Sequence, residues 1–450
     1  MNVPALNGID GEQVRRNMFA PDFREEPYWW MAAMPEEFDN TSAGCLPANA
    51  DVVIVGAGIT GTVAAIHLAR AGLDVVVLDS QRIGEGAARR NAGFIGRTLK
   101  RSVGWLTKHA GREHAVAVYR ELDRALKGVE SFVREEVIDC FHTSCGRFVG
   151  ANSEAHLRGL VDDLEETRQA LGFDYQIIQP DDVRSEIASD HYHGGAVIPD
   201  LGSIHPGLYH KGLVDRAENA GVRFYGRTTV NAINPQSGTH SVRTSAGQVV
   251  AKHVVITTNG YTSPDLKWHA RRVIPFSGFI LATEELPKDL IDKVLPKRRT
   301  YLDTKMNIDF IRPAPDSSRI LFGGMTGTKS RSALPLAAPL HARLVDILPD
   351  LKGVRLSRAW TGFCAGTFDF MPHIGRNANV HFALGYNFAG IPIGTHFGTL
   401  LANRILERDD AKSVFETDRF PTFPFYRGNP WFVPMAMRYF DWHDRRIARE

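Results

Sequence analysis

The sequence predicts an α/β domain joined to a second, α+β domain with a mainly antiparallel sheet. Three observations predict this fold class. A buried strand, a glycine-rich turn and a helix follow one another between residues 51 and 72. Segments of alternating apolar and polar residues recur between 265 and 355, a pattern typical of antiparallel strands. Finally, 450 residues are more than one ordinary core holds and are enough for two domains.

The first α/β unit is the most regular part of the chain. Residues 52–55 read as a buried strand, the helix ends near Gly72, and residues 75–78 form a second strand. Alanines and Leu68 recur at helical spacing in between, and they are small enough for the helix to lie close to a sheet. These elements therefore predict a strand–turn–helix–strand unit.

The later elements are assigned in chain order. Residues 105–171 are helical and charged, with a strand-like interruption at 146–151. A hairpin follows at about 240–251 and leads into a buried strand at 254–257. A glycine-rich stretch after Trp360 leads into a helix that we expect to begin near Gly394.

These patterns divide the chain between an arm, two interleaved domains and a tail. Aromatic residues at 28–30 predict that the arm is pinned to the folded body, a lid over a substrate entrance being the alternative. The aromatic and arginine-rich tail predicts docking on the body, with a membrane-surface helix as the alternative. The predicted division is an N-terminal arm (1–50), a first domain (51–150, 195–262 and 356–410), a second domain (151–194 and 263–355) and a C-terminal tail (411–450).

Composition excludes several classes of protein. Hydrophobic residues make up 43% and charged residues 23%, as in ordinary globular chains. The net charge of +2 argues against a nucleic-acid binder, and the absence of an apolar run of about 20 residues argues against a membrane span. Four cysteines form no disulfide framework, and Cys140 and Cys145 lack the partners of a zinc site, so no metal is expected. Together with a start unlike a secretory signal, this predicts a cytoplasmic enzyme.

A nucleotide-binding fingerprint follows the first strand. Gly56, Gly58 and Gly61 form G-x-G-x-x-G between a strand and a helix, and Asp79 ends the next strand. The first glycine permits the tight turn, the second lets the backbone approach a pyrophosphate, and the third lets the helix pack on the strand. Asp79 can accept hydrogen bonds from ribose hydroxyls and would repel a 2′-phosphate. Only one such fingerprint occurs, so the chain offers one dinucleotide site and no second site for NAD(P)H. We therefore expect the bound dinucleotide to be a flavin that is reduced directly by its substrate.

The chain resembles the D-amino-acid oxidase-like and glycine/sarcosine oxidase-like FAD-dependent amine oxidoreductases. Within this family it is most similar to the γ-glutamylputrescine oxidoreductase-like branch. The resemblance covers roughly residues 27–450 and implies a glutathione-reductase-type FAD-binding domain beside a substrate domain. It is carried by the fingerprint with Asp79, "RIGEGAARRNAG" (82–93), "GSIHPGLYHKGLVDRAENAGVRFYGRTTV" (202–230), "VVITTNGYT" (254–262), "GTFDFMPHIGR" (366–376) and "LGYNFAGIPIGTHFG" (384–398).

The resemblance also implies where FAD binds. The loop 82–93 would wrap the pyrophosphate and then follow the flavin ring, and a helix N-terminus after the last glycine-rich loop would face the pyrimidine edge of that ring. A positive helix end there favours negative charge on the flavin. The implied FAD-binding residues are Gly56, Ala57, Gly58, Ile59, Thr60, Gly61, Asp79, Ser80, Arg82, Gly86, Ala87, Arg90, Asn91, Ala92, Gly93, Val230, Thr258, Gly260, Gly385, Asn387, Gly390, Ile391 and Gly394.

Family members pass hydride from the carbon beside an amine nitrogen to the flavin, and oxygen or another acceptor then takes the electrons. Two departures are informative. Cys364 occupies the position where relatives carry an arginine that clamps an α-carboxylate, so a small-molecule amine with a γ-glutamyl-like or other remote acidic group is favoured. Gly362 aligns with the cysteine that tethers FAD in sarcosine oxidase-like members, so we expect non-covalent FAD.

Other candidates and alternatives remain open. Candidates for catalysis are His205, Lys305 and Cys364, and candidates for binding a distant substrate carboxylate are Arg97 and Arg312. One alternative function is a D-amino acid or N-methyl amino acid oxidase or dehydrogenase. Another is an FAD-bearing module of RNA modification or assembly, which the neutral charge disfavours. The sequence does not indicate an oligomeric state.

Overall fold

The computed structural model describes residues 17–38, 46–327, 330–416 and 420–447. Cys45, the remainder of the arm (1–16 and 39–45) and short parts of the tail (417–419 and 448–450) lie outside the described residues. The strands are β1 (Phe19–Arg24), β2 (Asn49–Val55), β3 (Val75–Leu78), β4 (Phe94–Ile95), β5 (Arg147–Gly150), β6 (Gln176–Ile178), β7 (Gly195–Ile198), β8 (Gly202–Ser203), β9 (Arg223–Tyr225), β10 (Val230–Gln236), β11 (Thr239–Thr244), β12 (Gly247–Ile256), β13 (Ile274–Thr283), β14 (Thr300–Asp303), β15 (Phe310–Pro313), β16 (Ile320–Gly324), β17 (Leu356–Gly366), β18 (His373–Asn377) and β19 (Val380–Leu384). The α-helices are α1 (Ile59–Arg70), α2 (Val103–Ala110), α3 (Arg112–Glu135), α4 (Glu154–Leu171), α5 (Pro206–Asn219), α6 (Lys267–Ala270), α7 (Lys288–Val294), α8 (Leu334–Ile347), α9 (Gly390–Ile405) and α10 (Val433–Ile447).

The first sheet is the α/β layer that carries the glycine turn. Its main order is β10-β11-β12-β2-β3-β9, and β19 pairs with β12 while β18 pairs with β19. The strands β12, β2, β3 and β9 run parallel to one another, as expected where helices connect neighbouring strands. The predicted unit at residues 51–78 is confirmed: β2 ends at Val55, α1 follows the turn, and β3 spans Val75–Leu78.

Small residues bring the two helices next to the glycine turn into close contact. Gly394 and Gly398 of α9 face α1, and a methyl group added at Gly398 would lie 2.7 Å from the carbonyl oxygen of Thr60. The helix α9 begins at Gly390, four residues before the predicted start at Gly394. The turn before it ends earlier than the glycine pattern suggested, because Ala389 already occupies the N-cap position.

The second sheet is mainly antiparallel, as predicted. Its order is β1-β17-β13-β16-β15-β14-β5-β7-β6, and only the pairs β1–β17 and β14–β5 are parallel among the strands described. Phe148, Phe279, Tyr301 and Ile311 point from one face into a core that includes Leu340 of α8. Because side chains alternate along a strand, their neighbours in the sequence point to the opposite face, towards the first sheet.

Several strands differ from the predicted division of the chain. The sequence predicts β5, β7 and β17 to lie in the first domain and β1 in the arm, yet all four pair in the second sheet. The chain therefore crosses between the two sheets more often than the predicted division of the chain implies. Sheet pairing depends on partners far along the chain, which local patterns do not reveal.

The arm and the tail both pack on the folded body. Trp29 is fully buried, and its indole N–H donates to the carbonyl oxygen of Asn91 at 2.8 Å. In the tail, the Tyr426 hydroxyl donates to the carbonyl oxygen of Val273, and Asp444 accepts the backbone N–H of Met306. Across the described ranges, no helix combines the length and the apolar character needed to cross a bilayer.

Candidate active site

A cavity lies between the two sheets and receives residues from both. From the first sheet and its loops come the glycine turn, the end of β3, the loop 84–98 and the residues before α9. From the second sheet come residues of β5, β13, β14, β15 and β17. The predicted FAD-binding residues that line it are Gly56, Ala57, Gly58, Ile59, Thr60, Asp79, Ser80, Gly86, Ala87, Arg90, Asn91, Ala92, Gly93, Val230, Thr258, Asn387, Gly390 and Ile391.

The glycine turn needs its glycines for different reasons. Gly56 has φ +106°, a backbone conformation that L side chains rarely adopt. A methyl group at Gly61 would overlap the carbonyl oxygen of Gly56 and lie 2.7 Å from the Thr257 hydroxyl. At Gly58 the same methyl group would meet nothing within 4 Å, because that position faces the cavity. The turn therefore leaves open space at its middle glycine, beside the N-terminus of α1.

Two buried side chains support this turn from behind. His210 donates from Nε2 to the carbonyl oxygen of Ala57 at 2.7 Å, and its Nδ1 accepts from Nε of Arg89 at 3.0 Å. Burial and the Arg89 charge lower the pKa of His210 to about 3, so its ring is neutral and its tautomer is set by these partners. Arg89 continues to the carbonyl oxygen of Met34 at 2.6 Å and to Glu36 at 2.7 Å. The arm is thus connected to the glycine turn.

Asp79 lies at the carboxyl end of β3. One carboxylate oxygen accepts the N–H of Ala57 and the other accepts the N–H of Gln81, both at 2.9 Å. Burial raises the pKa of Asp79 to about 6, although these two hydrogen bonds act in the opposite direction. Each oxygen keeps lone pairs that further donors can use.

The loop after β3 is held in shape by its own side chains. The Asn91 amide donates to the carbonyl oxygens of Ala87 and Ala88, and its oxygen accepts the N–H of Gly93. Arg90 donates to the carbonyl oxygens of Glu85 at 2.6 Å and Thr361 at 2.8 Å, and stacks 4.6 Å from the Trp30 ring. These contacts show both side chains organising the loop that lines the cavity.

The last glycine-rich loop turns sharply before α9. Gly385, Asn387 and Phe388 all have positive φ, and the Asn387 amide donates to the carbonyl oxygen of Gly385 at 2.7 Å. Gly390 and Ile391 are the first two residues of α9, so their N–H groups have no acceptor within the helix. Both line the cavity, which therefore receives the positive ends of two helices, α1 and α9.

The second sheet makes the other end of the cavity apolar and aromatic. The Phe94 and Phe310 rings meet edge to face with centroids 5.7 Å apart. Cys364 lies on β17, and burial raises the pKa of its thiol to about 12, so the thiol is neutral. The lining residues of this end are Phe94, Gly96, Thr98, Arg147, Gly278, Phe279, Ile280, Leu302, Ile308, Phe310, Thr326, Gly362, Phe363, Cys364 and Phe388.

Five of the implied FAD-binding residues do not line the cavity. Arg82 pairs with Glu85 at 2.9 Å on the outer side of its loop. Gly260 packs against the backbone of Cys364, where any side chain would collide. The other three are packing positions within the turns and the helix pair: Gly61, Gly385 and Gly394.

The candidates for catalysis and for carboxylate binding are mostly engaged elsewhere. His205 caps α5 by accepting the N–H of Leu208 at 3.1 Å, and burial lowers its pKa to about 4. Lys305 is paired with Asp303 and Asp309. Neither residue lines the cavity, whereas Cys364 does.

The two arginines proposed for a substrate carboxylate also lie outside the cavity lining. Arg97 is paired with Asp200 at 2.7 Å and with Asp123 at 3.0 Å. Arg312 is buried and donates to backbone carbonyl oxygens, including that of Ile204 at 2.9 Å. Arg312 also donates to the carbonyl oxygens of Ala92 and Gly93, and these hydrogen bonds hold the chain at residues 92–93 in place.

Sequence reasoning missed several lining residues. Tyr261 is within the "NGYT" segment, and its hydroxyl accepts the N–H of Phe363 at 3.1 Å. Phe94 directly follows the Ala92–Gly93 pair that was selected. Arg147 had a usable signal, because a charged residue in an otherwise apolar strand needs a reason. Phe310 and Phe388 carried no comparable signal in the sequence, since aromatic residues are common in any core.

The comparisons with known proteins agree with this architecture. The sequence profile of the DAO family, described as FAD dependent oxidoreductase, matches residues 51–404. This chain belongs to that family. It is 31% identical over 403 residues to the gamma-glutamylputrescine oxidoreductase of Escherichia coli (strain K12), covering 88% of this chain and 93% of that one.

More distant relatives share the fold. The chain is 24% identical over 388 residues to the glycine oxidase of Bacillus subtilis (strain 168), covering 82% of this chain and 97% of that one. The crystal structure of glycine oxidase from Geobacillus kaustophilus matches with a TM-score of 0.66 at 21% identity, covering 84% of this chain and 99% of that chain. The L-proline dehydrogenase structure from P. horikoshii gives 0.67 at 17% identity, covering 87% and 99%. The predicted family, fold class and cofactor are confirmed.

The cavity of this DAO-family enzyme fits FAD. The open position at Gly58 and the N-terminus of α1 suit a pyrophosphate, which needs close backbone approach and N–H donors. Asp79 retains acceptor capacity for ribose hydroxyls, and the free N–H groups at the start of α9 suit the edge of a flavin on which negative charge develops when it is reduced. Among the residues described, no group of three or more His, Cys, Asp and Glu side chains is arranged to hold a metal ion.

Proposed function

We propose that this FAD-dependent oxidoreductase oxidises a C–N bond of an amine whose reacting carbon bears no carboxylate, with a γ-glutamyl-amine-like substrate as the favoured class. The observation that carries this proposal is the neutral Cys364 thiol at the apolar end of the cavity. An α-amino acid would need a cation there to bind its carboxylate, and a thiol cannot form that bidentate contact. The name of the E. coli relative, gamma-glutamylputrescine oxidoreductase, supports the same class.

When bound, FAD would act as the two-electron acceptor for a hydride from the carbon beside nitrogen, and the imine product would hydrolyse to a carbonyl compound plus an amine or ammonia. The chain's own contribution is to orient and desolvate the amine. Phe94, Phe310 and Phe388 line the cavity, and an apolar surrounding lowers the pKa of an amine. The neutral amine has the lone pair that this reaction requires.

The residues of the first sheet would hold the cofactor. The turn at Gly58 and the start of α1 would bind the pyrophosphate, and Asp79 the adenosine ribose. The N–H groups of Gly390 and Ile391 would face the flavin ring, where a positive helix end favours negative charge. The attachment would be non-covalent, because Gly362 offers no side chain for a tether. Acid precipitation tests this by releasing the yellow colour into the supernatant.

Anaerobic flavin reduction tests the reaction. We expect purified, yellow protein to be bleached by γ-glutamylputrescine but not by glycine or D-alanine. Bleaching by NADH alone would contradict the amine reaction, and faster bleaching by glycine or D-alanine would favour an amino acid oxidase or dehydrogenase instead. Peroxide release under air, compared with dye reduction, identifies the electron acceptor.

Replacement of the thiol tests the selectivity argument. Cys364→Arg restores the cation that relatives carry. We therefore expect the ratio of the bleaching rate with small α-amino acids to the bleaching rate with the remote-acid amine to rise in this variant. Cys364→Ser is the matched control, because it keeps a small uncharged side chain. An equal response of both variants would show that charge at this position does not select the substrate.

A further inference from the structure

Arg147 is a buried cation that faces the cavity from β5. Its side chain is 3% exposed, and it lies among the residues that line the cavity. Its Nε donates to the Thr300 hydroxyl at 3.2 Å, and its Nη2 donates to the carbonyl oxygen of Ile95 at 3.0 Å. These two contacts fix the plane of the guanidinium group.

Arg147 has no carboxylate partner among the residues described. No described residue accepts a hydrogen bond from its Nη1, and the ionisable groups that act on it electrostatically are Cys145, Arg97 and Asp200. Asp200 is already bound to Arg97 through both of its oxygens, at 2.7 and 2.8 Å. Burial lowers the pKa of Arg147 to about 10, which still leaves it protonated at neutral pH. A buried positive charge without a counter-ion is costly, so its retention calls for an explanation.

The surroundings of Arg147 are built to accommodate it. The Phe94 ring lies 5.2 Å from the guanidinium carbon, a distance typical of a cation–π contact. A methyl group at Gly96 would lie 2.7 Å from Nη1, so with a larger residue there the guanidinium group would have to shift. Leu302 of the neighbouring strand and Phe310 of the next line the same cavity.

We propose that Arg147 binds an anionic group of the substrate, a carboxylate remote from the reacting amine. This inference rests on the proposed amine oxidoreductase function and specifies its substrate class. Arg147 and Cys364 lie on strands separated by four others of the second sheet, so a carboxylate at Arg147 does not occupy the position that relatives use beside residue 364. The unpartnered Nη1 and the fixed guanidinium plane suit a carboxylate, which accepts two parallel hydrogen bonds.

The test compares two ligands that differ only in charge. The probes are γ-glutamylputrescine and the same molecule with its α-carboxylate converted to an amide. Dissociation constants for the holoenzyme are measured from the change in the flavin absorbance spectrum, and reduction rates are measured anaerobically. We expect the wild-type enzyme to bind the acid about 10- to 100-fold more tightly than the amide, as for a charge-assisted hydrogen bond.

Variants assign that difference to Arg147. Arg147→Gln is expected to abolish the preference for the acid while leaving binding of the amide within about threefold of wild type. Arg147→Lys keeps the charge without the fork and is expected to restore part of the preference. Arg319→Gln is the control: Arg319 is another buried arginine, directly before β16, bound to the Ser357 hydroxyl at 3.1 Å and to Glu285 at 2.9 Å. It lies outside the cavity lining, so its loss is expected to leave the preference unchanged.

The outcomes separate the two proposals. If wild-type enzyme oxidises both probes and binds them equally, or if Arg147→Gln weakens both equally, Arg147 has only a structural role and the inference is wrong. If neither probe reduces the flavin, the proposed amine specificity itself fails, and this inference fails with it. Flavin content and melting temperature report on folding; should Arg147→Gln not fold, an unchanged preference in Arg147→Lys would overturn the inference.

Discussion

The two ends of the cavity are built in opposite ways. The end at the first sheet consists mainly of backbone: the turn at 56–61, the start of α1 and the start of α9 present N–H groups and positive helix ends. The end at the second sheet is lined by side chains of β5, β13, β14, β15 and β17, which are far apart in the sequence, together with residues such as Phe94 of β4 and Phe388 before α9. A backbone N–H group is present whatever the side chain, apart from proline, whereas a side chain changes with every substitution.

This difference explains how one fold serves many substrates. An end built from backbone depends on glycine spacing, and it suits a cofactor that does not change. An end built from side chains of a sheet changes its charge or shape with a single substitution, as at Cys364 or Arg147. We therefore expect substitutions at the first end to affect folding and FAD binding, and substitutions at the second to affect the substrate alone.

The largest expected effect concerns the connection between the arm and the glycine turn. Arg89→Met removes a fully buried cation and leaves Glu36 and Nδ1 of His210 without their partner. We expect the free energy of unfolding to fall by about 3–5 kcal/mol, as when one partner of a buried ion pair is removed. Urea denaturation measures it. Arg82→Met, which removes a partly exposed pair with Glu85, should lower the free energy of unfolding by at most about 1 kcal/mol. Equal losses of unfolding free energy in the two variants would contradict the connection between the arm and the glycine turn.

The next prediction separates folding from FAD binding within the glycine turn. Gly61→Ala forces a methyl group onto the carbonyl oxygen of Gly56, so we expect a loss of about 3 kcal/mol in unfolding free energy. Gly58→Ala points into open space, so the apoprotein should keep its stability while FAD binds more weakly. Denaturation of the apoprotein and titration with FAD check both variants. A stable Gly61→Ala protein would show that the contact relaxes.

At the second end, Phe310→Ala should change the substrate reaction and leave FAD binding unchanged. The loss of this ring admits water, which raises the pKa of the bound amine and lowers its neutral fraction. We expect anaerobic flavin reduction at neutral pH to slow by about tenfold, a pKa shift of roughly one unit. The pH profile of the reduction should move to higher pH. Phe423→Ala, which removes an exposed ring of the tail, is the control and should leave the rate of flavin reduction and its pH profile unchanged.

The smallest expected effect is a pH dependence of FAD binding through Asp79. Burial raises the pKa of its carboxyl to about 6, and ribose hydroxyls donate to the ionised form, so affinity is present above this pKa and is lost as pH falls through it. Between pH 7.5 and pH 5 we expect about a tenfold rise in the FAD dissociation constant. Asp79→Asn should bind FAD more weakly and with little pH dependence over this range. A dependence that persists in Asp79→Asn would assign it to another group.

How far the sequence predicts this structure depends on the range of the interactions involved. The unit at 51–78 was predicted nearly residue by residue, because strand, glycine turn and helix are each encoded locally. The roles of Asn91 and Arg90 were not, because a loop that folds on its own side chains looks the same in sequence as one that offers them to a ligand. Strand β17 pairs in the second sheet, whereas the sequence predicts residues 356–410 to belong to the first domain, since its partner β13 lies about 80 residues earlier.

The sequence by itself determined the glycine turn, the acidic residue after the second strand and the family to which the chain belongs, because each depends on residues close together along the chain. Only the tertiary structure decided which arginine of the second sheet lines the cavity. Arg97 and Arg312 were the candidates, but Asp200 and backbone carbonyl oxygens already occupy them. Arg147 lines the cavity without a counter-ion, and the physical reason is that the pairing of charges is set by contacts between distant segments, which a linear pattern does not encode.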